Sequence, residues 1–173
     1  MFEILSRRTL AANIVEFTVH APMVARNRKV GQFVVVRVHE GGERIPLSII
    51  DADPQQGTIK LVVQCVGHTT MELCSLGEGD QILDVLGPLG NPTHIENFGT
   101  AVAIGGGVGV AVCYPLAKAL KQAGNRVIGI IGFRSHELVI YEQEMAKGAS
   151  RDDILLKLSK KYGKSERQIE RYV

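Results

Sequence analysis

Four glycines within five residues separate two apolar runs in residues 100–120, TAVAIGGGVGVAVCYPLAKAL. The first run is short and the second has apolar residues at helical spacing, so the order predicts a strand, a tight turn and a helix. Glycines let the backbone approach an anion closely, and the first N–H groups of the helix supply donors and the positive end of its dipole. The segment therefore predicts a site for the pyrophosphate of a dinucleotide, formed by Gly105, Gly106, Gly107 and Gly109.

The fit of this turn to the dinucleotide motif G-x-G-x-x-G is imperfect. Read from Gly105 and Gly107, the motif needs a small third residue at position 110, where Val110 stands instead. The alternative is a glycine-rich turn that only packs the helix tightly on the strand. Four glycines exceed what packing needs, which favours the binding site.

Length, charge and hydropathy exclude several classes of protein. The 173 residues, 45% of them hydrophobic, suffice for one good core or two small ones. The formal net charge of +2 gives no reason to expect nucleic acid or an anionic membrane as a partner. No apolar run has transmembrane length and MFEILSRRTL lacks a signal-peptide core, so we expect a cytoplasmic protein.

The cysteines and histidines predict neither a metal site nor a nucleophilic triad. Cys65, Cys74 and Cys113 are an odd number at unequal spacings, so we expect buried apolar thiols rather than a disulfide framework or a C-x-x-C site. The five histidines are scattered, and none forms a recognisable nucleophile motif or lies four residues from another histidine.

The hydrophobic pattern divides the chain into three segments. Residues 1–97 hold short alternating strands separated by turn residues, with one brief helix at 69–76, which predicts an antiparallel β-barrel. Residues 98–147 contain strand, helix and strand, a Rossmann-like βαβ unit. Residues 148–173 predict a tail of two helices, DDILLKLSKKY and SERQIERY, broken at Gly163. The predicted fold class is therefore all-β plus α/β.

Three motifs follow one another along this architecture: GERIPLS at 42–48, VGHTTMEL at 66–73 and GGGVG at 105–109. In this order, the chain resembles the ferredoxin-NADP reductase family of flavoproteins. The likeness covers about residues 2–145 and is strongest to the family's electron-transfer subunits. Members of the family continue well beyond the second strand of the nucleotide domain, so the resemblance implies a truncated βαβ unit here.

The resemblance implies FAD as the cofactor of the barrel. It assigns Arg44 to the pyrophosphate, Leu47 to a face of the isoalloxazine ring and Ser48, as the catalytic residue, to a hydrogen bond at flavin N5. Arginine matches phosphate with two parallel hydrogen bonds, and a strand presents alternate side chains to one face. The other residues implied in FAD binding are Pro46, Gly67, Thr69 and Thr70.

Two of these assignments have alternatives. Arg44 lies four residues before Ser48 instead of the commoner three, so it is either the phosphate ligand or a surface arginine beside a rigid proline turn. The Gly-Thr start of the short helix is either an anion site or a plain N-cap.

The resemblance also implies NADPH or NADH as the substrate of the βαβ unit, bound at its four glycines. A 2′-hydroxyl favours Asp or Glu after the second strand, whereas a 2′-phosphate favours Arg with Ser. Arg134 and Ser135 stand there and favour NADPH. An exposed loop arginine is the equal alternative.

The implied function is electron transfer between NAD(P)H and an iron–sulfur or ferredoxin-type partner, as a subunit of a larger oxidoreductase. Neither a membrane nor nucleic acid is expected as a partner, and self-association is open. The alternative is a non-catalytic flavin- or nucleotide-binding module whose tail binds a partner or DNA. For the tail, KKYGKSERQIERYV resembles a helix-turn-helix, but 26 residues are too few for an independent core, which favours an amphipathic helical hairpin over the sheet edge. A truncated, frameshifted or rearranged gene is the remaining alternative.

Overall fold

The structure is a computed structural model that describes residues 1–148, 154–158 and 169–171. The chain divides into two compact units, Met1–Thr93 and His94–Val173. The first unit corresponds to the predicted barrel, and the second contains the predicted βαβ unit.

The first unit is a nearly closed antiparallel barrel of seven strands, in the order β6-β1-β2-β5-β4-β3-β7. The strands enclose a hydrophobic core, to which the fully buried Phe17, Ile59 and Leu61 belong. Two short helices accompany the strands. The bounds are β1 Phe2–Ala11, β2 Ile14–His20, α1 Pro22–Asn27, β3 Phe33–Arg37, β4 Ile45–Asp53, β5 Thr58–Gln64, α2 His68–Ser75, β6 Gln81–Ile82 and β7 Asp84–Leu89.

Strand β4 turns a corner of the barrel. Its first half pairs with β3 from Ile45 to Ser48, and its second half pairs with β5. At the junction the register shifts, and the consecutive side chains of Ile49 and Ile50 are both buried, as expected at a bulge. The Arg28 guanidinium donates to the carbonyl oxygens of Ile49 and Ile50, at 3.2 and 3.5 Å. The corner is therefore held directly after the GERIPLS motif.

The second unit confirms the βαβ prediction. Strands β8, β9 and β10 are parallel in the order β10-β9-β8, one half of a doubly wound sheet, and β11 pairs antiparallel with β10. Among the helices in the described part of the chain, none is long and apolar enough to cross a membrane. The bounds are β8 Thr100–Gly106, α3 Gly109–Gln122, β9 Arg126–Phe133, a 3₁₀ helix His136–Leu138, α4 Glu142–Gly148, β10 Ile154–Leu158 and β11 Ile169–Arg171.

Asn125 holds together the turn between α3 and β9. It is 6% exposed, and its side-chain oxygen accepts a hydrogen bond from the Phe98 N–H group at 2.7 Å. Its side-chain nitrogen donates to the carbonyl oxygens of Glu96 and Leu120, both at 2.8 Å. The segment that leads into β8 is thereby fixed to the end of α3.

The prediction of a helical tail is wrong in the part that the structure describes. Ile154–Leu158 and Ile169–Arg171 are strands, and the first lies parallel to β9. The run ILLKL is short and apolar, and periodicity does not separate such a strand from a helix. The edge of β9 offers backbone N–H and C=O groups, and pairing with them favours a strand over a helix. The strand at 169–171 interrupts the predicted recognition helix, and the rest of both predicted helices lies outside the described residues.

The expectation of unpaired apolar cysteines is also wrong for two of the three. Cys65 and Cys74 form a disulfide bond, with Cα atoms 6.3 Å apart, whereas Cys113 is free. Their sequence separation of 9 matches no common motif, and they meet because α2 folds back beside the end of β5. The bond closes a loop that contains the predicted helix-start site at residues 67–70.

Candidate functional site

Strand β4 divides the side chains of GERIPLS between two faces. Val34 of β3 pairs with Leu47, and Val36 pairs with Ile45. Cross-strand partners share a face, and both valines are fully buried, so Ile45 and Leu47 face the barrel core, against which they pack. The alternate positions, on the opposite face, are Arg44, Pro46 and Ser48.

Arg44 and Ser48 are accessible to a ligand on this opposite face. The Arg44 side chain is 53% exposed and lies 3.7 Å from the carboxylate of Asp84. Asp84 is itself held by Arg37, with contacts of 2.6 and 2.7 Å. The partly exposed Ser48 hydroxyl has no hydrogen-bond partner among the residues that the structure describes. One cation and one hydroxyl donor are therefore available for a ligand here.

Helix α2 begins with a capped turn. The Thr70 hydroxyl accepts hydrogen bonds from the N–H groups of Gly67 and Val66, at 2.9 and 3.1 Å, and donates to the Gly67 carbonyl oxygen at 3.0 Å. The first N–H groups of a helix have no intrahelical acceptor, and they carry the positive end of its dipole. The plain cap and the anion site are compatible. The Thr70 side chain binds the N–H groups of Val66 and Gly67, which precede the helix, and the N–H groups of the first turn of α2 are left for an anion.

The side chain of Thr69 points into the protein. Thr69 is 5% exposed, and its hydroxyl donates to the Glu43 carboxylate at 2.7 Å. Further along α2, Glu72 contacts His39 at 2.6 Å. Both partners belong to the loop between β3 and β4, which leads into Arg44. The structure therefore brings together two sites that the sequence predicts separately, the Arg44 motif and the start of α2.

Sequence reasoning misses the residues that join these two sites. Glu43 is 26 residues away from Thr69, and no strand or helix period relates a loop carboxylate to a helix hydroxyl at that distance. The same holds for His39 and Glu72. The only sequence feature that points to these contacts is the group of charged and polar residues in the loop that leads into Arg44.

The turn between β8 and α3 contains two kinds of glycine. A Cβ on Gly105 would lie 2.9 Å from the Val110 Cα and 3.1 Å from the Cys113 sulfur, so this glycine lets the helix pack closely on the strand. Gly107 has a φ of +53°, and a Cβ on Gly107 or Gly109 would meet nothing within 4 Å. Packing therefore explains the first glycine, whereas the other two leave open space at the start of α3.

The end of β9 lies beside this turn. The Gly107 N–H group donates to the Gly132 carbonyl oxygen at 2.9 Å, and a Cβ on Gly106 would approach the same oxygen to 3.8 Å. Arg134 follows directly after β9 and is exposed. The predicted nucleotide residues of both strands thus meet at the carboxyl ends of β8 and β9.

Two titratable groups of this unit have shifted pKa values. A hydrogen bond with Ser135 is the main cause that lowers the pKa of the exposed Glu137 carboxyl group. Burial raises the pKa of the Cys113 thiol, whose S–H group donates to the Ile104 carbonyl oxygen at 3.2 Å. Glu137 is therefore an anion in the loop that carries Arg134, and Cys113 is a protonated thiol beside Gly105.

Known proteins are similar to this chain over both of its units. A dihydroorotate dehydrogenase B (NAD(+)) electron transfer subunit homolog of Thermotoga maritima is 49% identical over 142 residues, which make up 82% of this chain and 50% of the relative. The solved structure of an NADH-dependent reduced ferredoxin-NADP oxidoreductase matches with a TM-score of 0.86 and 44% identity, over 90% of this chain and 56% of that one. The chain belongs to the ferredoxin-NADP reductase-like family.

A second relative of this reductase-like chain is the dihydroorotate dehydrogenase B (NAD(+)) electron transfer subunit of Bacillus cereus strain Q1. It is 33% identical over 150 residues, which make up 83% of this chain and 58% of the relative. The chain thus spans 50% to 58% of the length of these two relatives. No protein-family model matches the chain. The family prediction from the three motifs is confirmed, and the roles of the individual site residues stay predictions.

Proposed function

We propose that this chain binds FAD on its barrel and a pyridine nucleotide on its βαβ unit, and passes electrons to an iron–sulfur or ferredoxin-type partner. The observation that carries the proposal is that each unit contains a helix that begins at or directly after a glycine, α2 after Gly67 and α3 at Gly109. FAD and NAD(P)H both contain a pyrophosphate, which helix N-termini bind. The relatives' names, electron transfer subunit and ferredoxin-NADP oxidoreductase, support a redox role within a larger complex.

The proposed FAD site combines a helix start with a guanidinium group. Because Thr70 caps α2 with its side chain, the first-turn N–H groups are left for phosphate oxygens. The contact of Glu43 with Thr69 holds the Arg44 loop beside this turn. A pyrophosphate has enough oxygens to engage the helix start and Arg44 together, whereas the single phosphate of FMN has fewer. FAD is therefore the favoured flavin.

Ser48 and Pro46 are proposed to hold the isoalloxazine ring. Both share the face of Arg44, whereas Leu47 packs against the barrel core. The Ser48 hydroxyl is a donor without a partner in the described part of the chain, so it is suited to a hydrogen bond at flavin N5. Pro46 is exposed and rigid. We therefore give Pro46 the ring contact that the family resemblance assigns to Leu47.

The nucleotide is proposed to bind over Gly107 and Gly109, where the open space and the dipole of α3 favour a pyrophosphate. Arg134 would then bind the 2′-phosphate of NADPH beyond the end of β9. The Ser135 hydroxyl is hydrogen-bonded to the Glu137 carboxylate, so the contact with the 2′-phosphate depends on the charge of Arg134. NADPH is therefore favoured over NADH, and Arg134→Ala should remove the preference.

The redox chemistry is that of a bound flavin, which takes up a hydride and releases single electrons. The chain's own residues bind and orient. Arg44 and the start of α2 hold the pyrophosphate, Ser48 holds a hydrogen bond at the reacting edge, and the open glycines admit the nucleotide. Orientation of this kind is a large part of what an enzyme contributes to transfer between two bound reactants.

Flavin reduction tests the proposal. The purified protein is titrated with FAD and with FMN, and the FAD-loaded protein is then mixed anaerobically with NADPH or NADH while the visible flavin absorbance is followed. We expect tighter binding of FAD and bleaching that depends on the nucleotide. Ser48→Ala should slow bleaching about tenfold at unchanged FAD affinity. The control Ser75→Ala, at the exposed end of α2, should change neither.

Two results contradict the proposal. Equal affinity for FAD and FMN removes the argument from the pyrophosphate. A FAD-loaded protein that neither nucleotide bleaches is a flavin-binding module rather than an electron-transfer subunit.

A further inference from the structure

Two side-chain contacts fasten the β3–β4 loop to α2. The Thr69 hydroxyl donates to the Glu43 carboxylate at 2.7 Å, and His39 contacts the Glu72 carboxylate at 2.6 Å. We propose that Glu43 is a positioning residue that sets the spacing between Arg44 and the first turn of α2, and thereby selects FAD over FMN. The inference rests on the proposed function and deepens its flavin site.

The contact between Glu43 and Thr69 is a hydrogen bond from a buried hydroxyl to the carboxylate of an exposed residue. Thr69 is 5% exposed, so water competes little for its hydroxyl. The acceptor is a carboxylate, and hydrogen bonds to ionised acceptors are shorter and about twice as strong as neutral ones. Because the Thr69 hydroxyl is directed inward, this side chain acts on a flavin through the loop rather than by contact with phosphate.

Glu43 controls the place of Arg44 because the two residues are adjacent. Their side chains diverge, with Glu43 bound to Thr69 of α2 and Arg44 near Asp84 of β7. Arg37 in turn holds Asp84 at 2.6 Å. The backbone that carries Arg44 is therefore anchored on one side by α2, while Asp84 holds its guanidinium from the other.

The charge of Glu43 is an effect separate from its hydrogen bond. The carboxylate lies 2.7 Å from the hydroxyl of Thr69, the second residue of α2, so it stands beside the first turn and repels a phosphate there, while the hydrogen bond holds the loop. Glu43 therefore offers two effects that substitutions separate. Glutamine removes the charge and keeps an acceptor for Thr69, and alanine removes both.

The expected selectivity follows from the spacing. A pyrophosphate engages Arg44 and the helix start at once, so its affinity depends on the distance between them. A single phosphate uses either element alone and is indifferent to that distance. Pre-organisation of the two elements therefore adds affinity for FAD and little for FMN. If Glu43 only stabilised the fold, its substitution would weaken the binding of FAD and of FMN alike.

The test compares Glu43→Ala, Glu43→Gln and Thr69→Val by fluorescence titration with FAD and with FMN. We expect Glu43→Ala and Thr69→Val each to weaken FAD binding about tenfold, with FMN binding changed less than about twofold. The double variant should be no weaker than either single variant, because both remove the same contact. Glu43→Gln should restore FAD affinity to within about threefold of the unsubstituted chain. Glu40→Ala, an exposed position of the same loop, is the control and should change nothing.

Each remaining outcome overturns the inference. Equal weakening of FAD and FMN together with a lower melting temperature assigns Glu43 a merely structural role. Unchanged FAD affinity in Glu43→Ala shows that the contact does not position Arg44, while the proposed function stands. A Glu43→Gln variant as weak as Glu43→Ala shows that the hydrogen bond is not the cause. An unsubstituted chain without FAD affinity overturns the inference and the proposed flavin site together.

Discussion

The two proposed binding sites of this chain are built in opposite ways. In the second unit, residues 105–109 form one continuous turn, and the missing side chains of Gly107 and Gly109 create the space. In the barrel, the GERIPLS motif with Arg44 and Ser48 and the start of α2 come from two separate parts of the chain. Side-chain contacts hold the loop and the helix together, and the corner of β4 follows Ser48.

Because the two sites are built differently, different substitutions are expected to abolish ligand binding at each. A site made of bare backbone is blocked by a single added side chain, while the fold around it persists. A site made of side chains is lost through contacts that never touch the ligand. Both kinds of site suit a phosphate, because N–H groups at a helix start and a guanidinium group are alike good donors to anionic oxygen.

The largest effect is expected at Asn125, the buried side chain that fixes the segment before β8 to the end of α3 in the second unit. Asn125→Ala removes three hydrogen bonds of a buried side chain, those with the Phe98 N–H group and with the carbonyl oxygens of Glu96 and Leu120. The Leu120 oxygen keeps its bond from the backbone N–H group of residue 125. We expect the free energy of unfolding of the second unit to fall by about 3 kcal/mol. Urea denaturation measures it. The control Asn97→Ala, which removes one exposed hydrogen bond to Gly99, should cost under about 1 kcal/mol. Equal losses in the two variants would contradict the role of burial.

The next effect separates the two kinds of glycine. Gly109→Val adds a side chain where nothing lies within 4 Å, so we expect folding to persist and NAD(P)H affinity to fall about 100-fold, or about 2.7 kcal/mol. Gly105→Ala puts a Cβ 2.9 Å from the backbone of Val110, so it should lower stability instead. FAD affinity should be unchanged in Gly109→Val. Isothermal titration with each ligand checks both, and a Gly109→Val variant that binds nucleotide normally breaks the comparison.

A smaller effect concerns the barrel site, where Cys65 and Cys74 close the loop around the start of α2. Reduction of this bond, or Cys74→Ser, frees the loop in the unfolded chain, so we expect barrel stability to fall by about 2 kcal/mol. Urea denaturation with and without a dithiol reductant measures the change. Cys113→Ser, at the free cysteine of the second unit, is the control and should leave barrel stability as it is. Identical stability of oxidised and reduced protein argues against the bond.

The smallest effect sharpens the description of the glycine turn. Burial raises the pKa of the Cys113 thiol, so at a given pH a smaller fraction is thiolate than in an exposed cysteine. Alkylation of Cys113 at pH 8 should therefore be about fivefold slower than that of a small thiol, and its rate should keep rising above the ordinary thiol pKa of about 8.5. Mass spectrometry follows the reaction. Urea should abolish the difference, and a native rate equal to that of the small thiol contradicts the close packing beside Gly105.

Local patterns in the sequence predict the parts of this protein that neighbouring residues create. The glycine turn, the βαβ order and the barrel strands follow from side-chain period and from what glycine permits. The family followed from three short motifs in sequence order, and the relatives confirm it. The cluster of four glycines is visible without knowledge of distant residues, whereas the distinction between Gly105, which packs, and the open Gly107 and Gly109 came from the structure.

The tertiary structure alone decided the rest. Alternation along β4 says that Leu47 and Ser48 point to opposite sides, but the buried partner Val34 decides that Leu47 is the one facing the core. The Glu43–Thr69 contact and the pairing of Cys65 with Cys74 depend on where α2 docks. Ile154–Leu158 is a strand because β9 offers it an edge, although its composition suits a helix equally. By itself, then, the sequence determined which segments form elements and where the glycines cluster, and the fold decided which of these glycines packs against the helix and which leave open space. Their partners across the fold were decided by hydrogen bonds and burial between residues that no local pattern connects.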